Sequence, residues 1–265
     1  MQYDFHMHSS ISLDSNAPME DMIKQSIKKG LSGVCFTQHI DYYFPGDFEV
    51  YTIDYENYKQ EFERCKELYN GKIELFYGIE AGLHKNSYNR IKSDIANNDF
   101  DYVLASLHCV DRQTIAADNY YDSMPPCDLI NEYLTETIAN IKAFNDFNCL
   151  AHLGFIAKFA PREGFEVEYR DFKELLDEIL VFLIENGKGL EVNTSGLKRG
   201  LRTMPVKEII ERYLELGGEI LTLASDAHNP QNVAYGFKET INMLKELGVN
   251  KLAKFNRRKL EFYNI

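Results

Sequence analysis

YDFHMHSS, residues 3–10, is a short apolar run that ends in two histidines separated by one residue. Strand side chains alternate with a period of two, so His6 and His8 point to one face and can share a cation. Asp4 is in phase with them, one pair further down the strand. The same ending recurs along the chain. His39 closes GVCFTQH (33–39), His108 closes DYVLASLH (101–108), His152 closes NCLAH (148–152), and His228 follows ILTLASDAH (220–228). Six of the seven histidines therefore sit at or just past the ends of apolar runs. Apolar runs with helical stretches between them read as strands of one parallel sheet. Ligand-type residues at the C-terminal ends of such strands face one opening, where barrels keep their chemistry. The pattern predicts a polynuclear metal site.

Working outward, the strands are expected near 2–8, 33–39, 73–81, 101–108, 148–154, 188–194 and 220–226. Helices are expected near 17–29, 54–70, 87–98, 127–146, 171–186, 205–217 and 231–247. Pro18 and Pro205 stand where helices start, and Gly30, Gly187 and Gly217-Gly218 stand where they end. Seven β-α units with no obvious linker suggest a single α/β domain over residues 1–265. An open doubly wound sheet competes with a closed barrel. An open sheet gathers residues mainly at its switch point, whereas here nearly every strand end carries a ligand type, which favours a distorted (β/α)7 TIM-like barrel. No internal repeat or low-complexity tract is visible. The irregular stretches 40–53, 109–126 and 155–170 are long enough to be binding loops or lids.

Composition narrows the function. The 265 residues are 45% hydrophobic with a mean hydropathy of −0.36, and no run approaches the ~18 apolar residues of a membrane span. The start, MQYDFHMHSS, has neither the basic nor the apolar region of a signal peptide, so a cytoplasmic protein is expected. A net charge of −12 argues against a nucleic-acid footprint. It leaves room for a small anionic substrate, because bound divalent cations reverse the local field. The five cysteines are scattered and contain no C-x-x-C, as expected of free thiols in a reducing compartment.

Carboxylates complete the ligand set. Glu80 lies in FYGIEAG (76–82), and its two oxygens can bridge two cations, which no single imidazole does. Asp226 and His228, in SDAH (225–228), repeat the i, i+2 spacing at a strand end. Asp14 follows the first strand on a loop. His84, in LHKN (83–86), reads as a loop or surface histidine.

With these residues in view the chain resembles the PHP (polymerase and histidinol phosphatase) family of metal-dependent phosphoesterases. The motifs match in order: DFHMHS with Asp14, then TQH (37–39), then Glu80 with SLH (106–108), then His152 with SDAH (225–228). The segment GLEVNTSGLKR (189–199) looks like the histidinol-phosphate phosphatase branch. The resemblance implies a seven-stranded distorted barrel holding two to three divalent ions (zinc, iron or manganese). It implies that His6, His8, Glu80 and Asp226 hold one ion. Glu80, His108 and His152 would hold a second, and Asp14, His39 and His228 a third. Many relatives carry histidine where this chain has Asp14, which shifts that site toward harder ions.

The implied reaction is hydrolysis of L-histidinol phosphate in histidine biosynthesis, with Glu80, Asp226 and His228 at the chemical step. Paired cations acidify water to a hydroxide nucleophile, so no serine or cysteine nucleophile is needed, and no G-x-S-x-G, C-x5-R or P-loop occurs. The alternatives are a PHP phosphoesterase of other specificity, acting on protein phosphotyrosine or on nucleotides or oligonucleotides, and a catalytically silent module. The partner is expected to be a small phosphate ester, with no nucleic acid and no membrane; the oligomeric state is open. Phosphate calls for further positive charge. Lys158, Arg162, Lys198, Arg199 and Arg202 are candidates, and Arg162 and Arg199 are favoured for their bidentate grip. Glu163, Phe165, Asp41, Tyr42, Tyr43 and Phe44 are expected to hold the cationic and imidazole end of the substrate.

Overall fold

The computed structural model of the protein describes residues 1–43, 52–111, 113–161 and 164–265. The apolar runs are strands: β1 (Tyr3–Met7), β2 (Gly33–Ile40), β3 (Glu74–Gly82), β4 (Tyr102–Ser106), β5 (Cys149–Leu150), β6 (Gly189–Asn193) and β7 (Leu221–Ala224). They form one sheet in sequence order, and all neighbours are parallel. The helices are α1 (Met19–Lys28), α2 (Tyr55–Leu68), α3 (Tyr88–Asn97), α4 (Pro126–Ala143), α5 (Lys173–Glu185), α6 (Lys207–Glu215) and α7 (Phe237–Glu246). This is a nearly closed TIM-like barrel. None of these helices is long and apolar enough to cross a membrane.

Local chemistry explains the elements. Apart from Glu74, the barrel strands are buried throughout, as parallel strands covered on both faces must be. Helix α6 buries Ile209, Ile210 and Tyr213 while Glu208, Glu211 and Glu215 face solvent. Helix α2 starts at Asp54, whose carboxylate accepts from the backbone N–H groups of Glu56 and Asn57. Strand β5 is shorter than the expected 148–154, because the chain turns away at His152, where φ is 24°.

The ring is fastened between β7 and β1 differently from elsewhere. One backbone bridge joins Met7 to Ala227, with hydrogen bonds of 2.9 Å from Asp226 N–H to the His6 carbonyl and from His8 N–H to the Ala227 carbonyl. Below it, the buried Asp4 carboxylate accepts from Ser225 N–H (2.9 Å), the Ser225 hydroxyl and Ala234 N–H (3.1 Å). Burial pushes the Asp4 carboxyl up to about 6 against the pull of these donors.

A C-terminal hairpin (Lys251–Asn256 and Lys259–Asn264), for which the sequence carried no expectation, covers the floor of the barrel. Phe255 stacks on Tyr102 at 5.3 Å and Tyr263 packs on Tyr3 at 4.7 Å. Its turn residues, Arg257 and Arg258, both have positive φ (49° and 64°). Asp101 steadies the turn, its carboxylate accepting from Arg257 N–H and its carbonyl from Arg258 N–H, each at 2.9 Å. The histidines occupy the opposite end.

Candidate metal centre

His6 and His8 rise from β1 into the mouth of the barrel, both wholly buried. His6 Nε2 lies 3.0 Å from His8 Nε2, 3.1 Å from Glu80 Oε2 and 3.6 Å from Asp226 Oδ1. His8 Nε2 is 3.5 Å from each of the same two carboxylate oxygens. The β2–β3 register sets His39 beside Glu80 and brings His39 Nδ1 to 3.0 Å from Glu80 Oε2. The other oxygen of Glu80, Oε1, faces away from β1, 2.8 Å from His152 Nε2 and 3.1 Å from His108 Nε2. Glu80 thus divides its oxygens between two sets of imidazoles.

A third group lies at the rim. Asp14 Oδ2 is 2.8 Å from His228 Nε2 and 3.3 Å from His39 Nε2. The His8 ring is stacked between those of His39 and His228, at 4.2 and 4.1 Å. All nine residues singled out from the sequence as ligands therefore meet at one mouth. Two of them hold unusual backbone conformations, His152 with φ 24° and Asp226 with φ 50°. Such strain costs on the order of 1–3 kcal/mol and collects at functional sites.

The donor set fits divalent transition ions. Among the described residues, three triplets have ligand atoms within 4.8 Å of one another: His6–His8–Glu80, His39–Glu80–His108 and His8–His39–His228. Burial, with His228 and His39 alongside, pushes His8 well below the usual imidazole pKa, which leaves a neutral ring ready to ligate. Burial also lowers His152. Burial opposes charge on His6 too, yet Glu191, Glu80 and Asp226 hold its pKa well above the usual value. Asp41 and Glu80 do the same for His108 against burial, and Glu80 and Asp14 raise His39. In turn Glu80 and Asp226, though buried, are held well below the usual carboxylate range, Glu80 by His6, His39 and His108, and Asp226 by Lys158 and His6.

Several rings are aimed from behind. Glu191 Oε2 lies 2.8 Å from His6 Nδ1, Asp41 Oδ1 lies 2.9 Å from His108 Nδ1, and Ser12 Oγ lies 3.3 Å from His8 Nδ1. His228 Nδ1 is 3.0 Å from the Asp226 carbonyl. Fixing Nδ1 in this way turns Nε2 inward, as around metal-ligating histidines. Glu191 was not singled out from the sequence, although it is a carboxylate near the end of an apolar strand, the same signal that marked Glu80. It also accepts from His152 N–H (3.0 Å) and the Asn193 side chain (2.8 Å).

The residues expected at the far end of the substrate are largely engaged elsewhere. Asp41 serves His108. Tyr42 bonds to Asp94 and lies under Arg90, and Tyr43 stacks on His84, which is buried rather than superficial. Phe165 is buried against Tyr121. Phe44, Arg162 and Glu163 lie outside the described residues. Instead, a cavity of about 370 Å³ opens above Glu80, walled by Phe155, Phe159, Thr114 and Ala116. Lys158 lines it, with Nζ 2.5 Å from Asp226 Oδ2. Arg199 does not line the cavity but contacts two residues that do, donating to the Lys158 carbonyl (3.0 Å) and lying 4.9 Å over Phe159. Arg202 is occupied by Glu166, Glu168 and Glu208. A larger groove of about 690 Å³ lies at the floor, beside the C-terminal hairpin, and has no histidine in its lining.

The PHP domain model matches residues 4–195. A histidinol-phosphatase of Lactococcus lactis is 28% identical over 260 residues, covering 97% of this chain and 96% of its own length. A probable histidinol-phosphatase of Thermotoga maritima is 31% identical over 250 residues, covering 94% of each chain. The crystal structure of the Lactococcus lactis histidinol phosphate phosphatase, complexed with zinc, L-histidinol and phosphate, matches with a TM-score of 0.90 at 26% identity over 98% of each chain.

Proposed function

This chain belongs to the PHP domain family, and on that premise we propose that it is a metal-dependent phosphomonoesterase that hydrolyses L-histidinol phosphate to L-histidinol and phosphate. The observation that carries the reading is the meeting of six histidines and three carboxylates at one mouth, in a chain similar over nearly its whole length to histidinol-phosphatases. Such an enzyme serves histidine biosynthesis in the cytoplasm and takes a small phosphate ester rather than a nucleic acid.

His6, His8, Glu80 and Asp226 would hold one ion, Glu80, His108 and His152 a second, and Asp14, His39 and His228 a third. Zinc, iron or manganese held there supplies Lewis acidity, which makes water a nucleophile at neutral pH and draws charge from the phosphoryl group. The protein's own part is placement. Glu80 can serve two ions because its oxygens face different imidazoles. Asp226 and His228 stand at the reacting end, and His228 remains partly exposed toward the rim. Lys158 meets a phosphoryl oxygen from the cavity side, with Arg199, and Arg162 of the same loop, adding positive charge. Phe155 and Phe159 offer aromatic faces to the ammonium and imidazole of the substrate and keep water from that wall.

The test is steady-state kinetics with L-histidinol phosphate, a sugar phosphate and a phosphotyrosine peptide. L-histidinol phosphate is expected to be preferred by about tenfold or more in kcat/KM, a difference of ~1.4 kcal/mol. Equal rates on all three would leave only the broader phosphoesterase reading. In the same assay Lys158→Ala is expected to lower kcat/KM by about 30-fold, ~2 kcal/mol, as loss of a charge-assisted phosphate contact should. Arg199→Ala should act in the same direction. A Lys158→Ala enzyme with unchanged kcat/KM would remove that residue from the phosphate end.

A further inference from the structure

Asp41 lies just beyond β2 and His108 just beyond β4, so β3 stands between them. Ile40 pairs with Ala81, and Gly82 pairs with Ser106. The register therefore places Asp41 beside Gly82 on one side and the approach to His108 on the other. The Asp41 carboxylate crosses over Gly82 to accept His108 Nδ1–H at 2.9 Å, while its second oxygen lies 3.6 Å from His39 Nδ1. A Cβ at position 82 would stand 1.7 Å from Asp41 Oδ1, 2.4 Å from its Cγ and 3.2 Å from Oδ2, and these are the three atoms nearest to it. Gly82 does not have positive φ, so what it supplies is space rather than conformational freedom.

We propose that Gly82 and Asp41 act together as a positioning device for His108, the glycine leaving a gap through which the carboxylate reaches the imidazole. Asp41 fixes the tautomer of His108, and the ring then presents Nε2 to Glu80 Oε1 at 3.1 Å. Ser106 Oγ, 3.5 Å from the same Nδ1, is neutral and more distant. Asp41, expected from the sequence to face the substrate, is engaged with His108 instead. The inference rests on the metal-centre reading above for its consequence, but the contact itself does not.

Wild type, Asp41→Ala, Gly82→Ala and the double variant are compared as full-length protein reconstituted with zinc. Zinc affinity is read by competition with a chromophoric chelator, and melting temperature is read on the metal-free forms. Each single variant is expected to weaken zinc binding by about 10–100-fold, with the double variant no worse than Asp41→Ala. Asp41→Asn, whose side-chain oxygen still accepts Nδ1–H, should recover most of the affinity. Gly82→Ala should lower the melting temperature in the wild-type background and leave it unchanged in the Asp41→Ala background, where the clashing atoms are gone. Wild-type zinc affinity in Gly82→Ala, or losses that multiply in the double variant, would overturn the proposal. If Gly82→Ala does not fold, recovery of folding in the double variant supports the proposal and failure to recover overturns it. A wild type that binds no zinc would instead overturn the metal-centre reading, and the melting temperatures would still decide the contact.

Discussion

Glu80→Ala is expected to be the most damaging single change in the site, lowering kcat/KM by about 10³-fold or more, ~4 kcal/mol. Glu80 is wholly buried, and each of its oxygens faces a different set of imidazoles. Its loss would cost both sets a donor and leave His6, His39 and His108 without one of the charges that hold their pKa values up. His108→Ala removes one donor from one set and should cost less. The check is kinetics alongside elemental analysis of the purified proteins, with wild type expected to carry two to three ions per chain. If Glu80→Ala turned over normally while His108→Ala was dead, Glu80 would not be a bridge.

Metal removal is the second large effect, and it should depend on pH in a defined direction. Chelation is expected to abolish activity. In the metal-free protein, His6, His39 and His108 have raised pKa values, so the stability they contribute is fully present below about pH 6.5 and is lost as pH rises through their folded values. His8 and His152, held down, change stability only below about pH 6.5. Glu80 and Asp226, also held down, contribute stability above about pH 4 and lose it as pH falls through their folded values. Ions bind only deprotonated ligands, so loading gains in strength over the same rise in pH. The gap in melting temperature between loaded and metal-free protein should therefore widen from pH 6.5 to 8.5. At an ion concentration a hundredfold above Kd the gain is about 2.7 kcal/mol, or roughly 5–10 °C. A gap that narrowed over that range, or activity that survived exhaustive chelation, would contradict the assigned ligands.

The barrel was legible in the sequence because each strand is an apolar run and all but the sixth end at or near a ligand-type residue. The two hairpins were not. The one at the floor turns on Arg257-Arg258 instead of an Asn-Gly pair, and its positive φ values depend on Asp101, more than 150 residues away in the chain. The one at the rim (Cys109–Val110 with Gln113–Thr114) is too short to show a period. The inward-facing site residues were legible because they cluster at strand ends. The residues that aim them were not, since Glu191 meets His6 and Asp41 meets His108 only through the register of the closed sheet. Among the positive charges, arginine geometry favoured Arg162 and Arg199; of the described candidates Lys158 lines the cavity beside Asp226, and Arg162 lies outside the described residues.

The fastening of β1 to the far side of β7 also sets a timetable for the newborn chain. Asp4 waits for Ser225 and Ala234, and His6 and His8 wait for Asp226, so the first strand to leave the ribosome is among the last to find its neighbours. At about 5–20 residues per second that wait is roughly ten seconds or more, during which β1 can pair only with β2 and its outer edge stays open. An ion that arrives during translation meets a site that still lacks Asp226 and His228. The β1–β7 closure is therefore expected only near the end of synthesis, and the exposed interval for β1 is the one before residue 234 emerges.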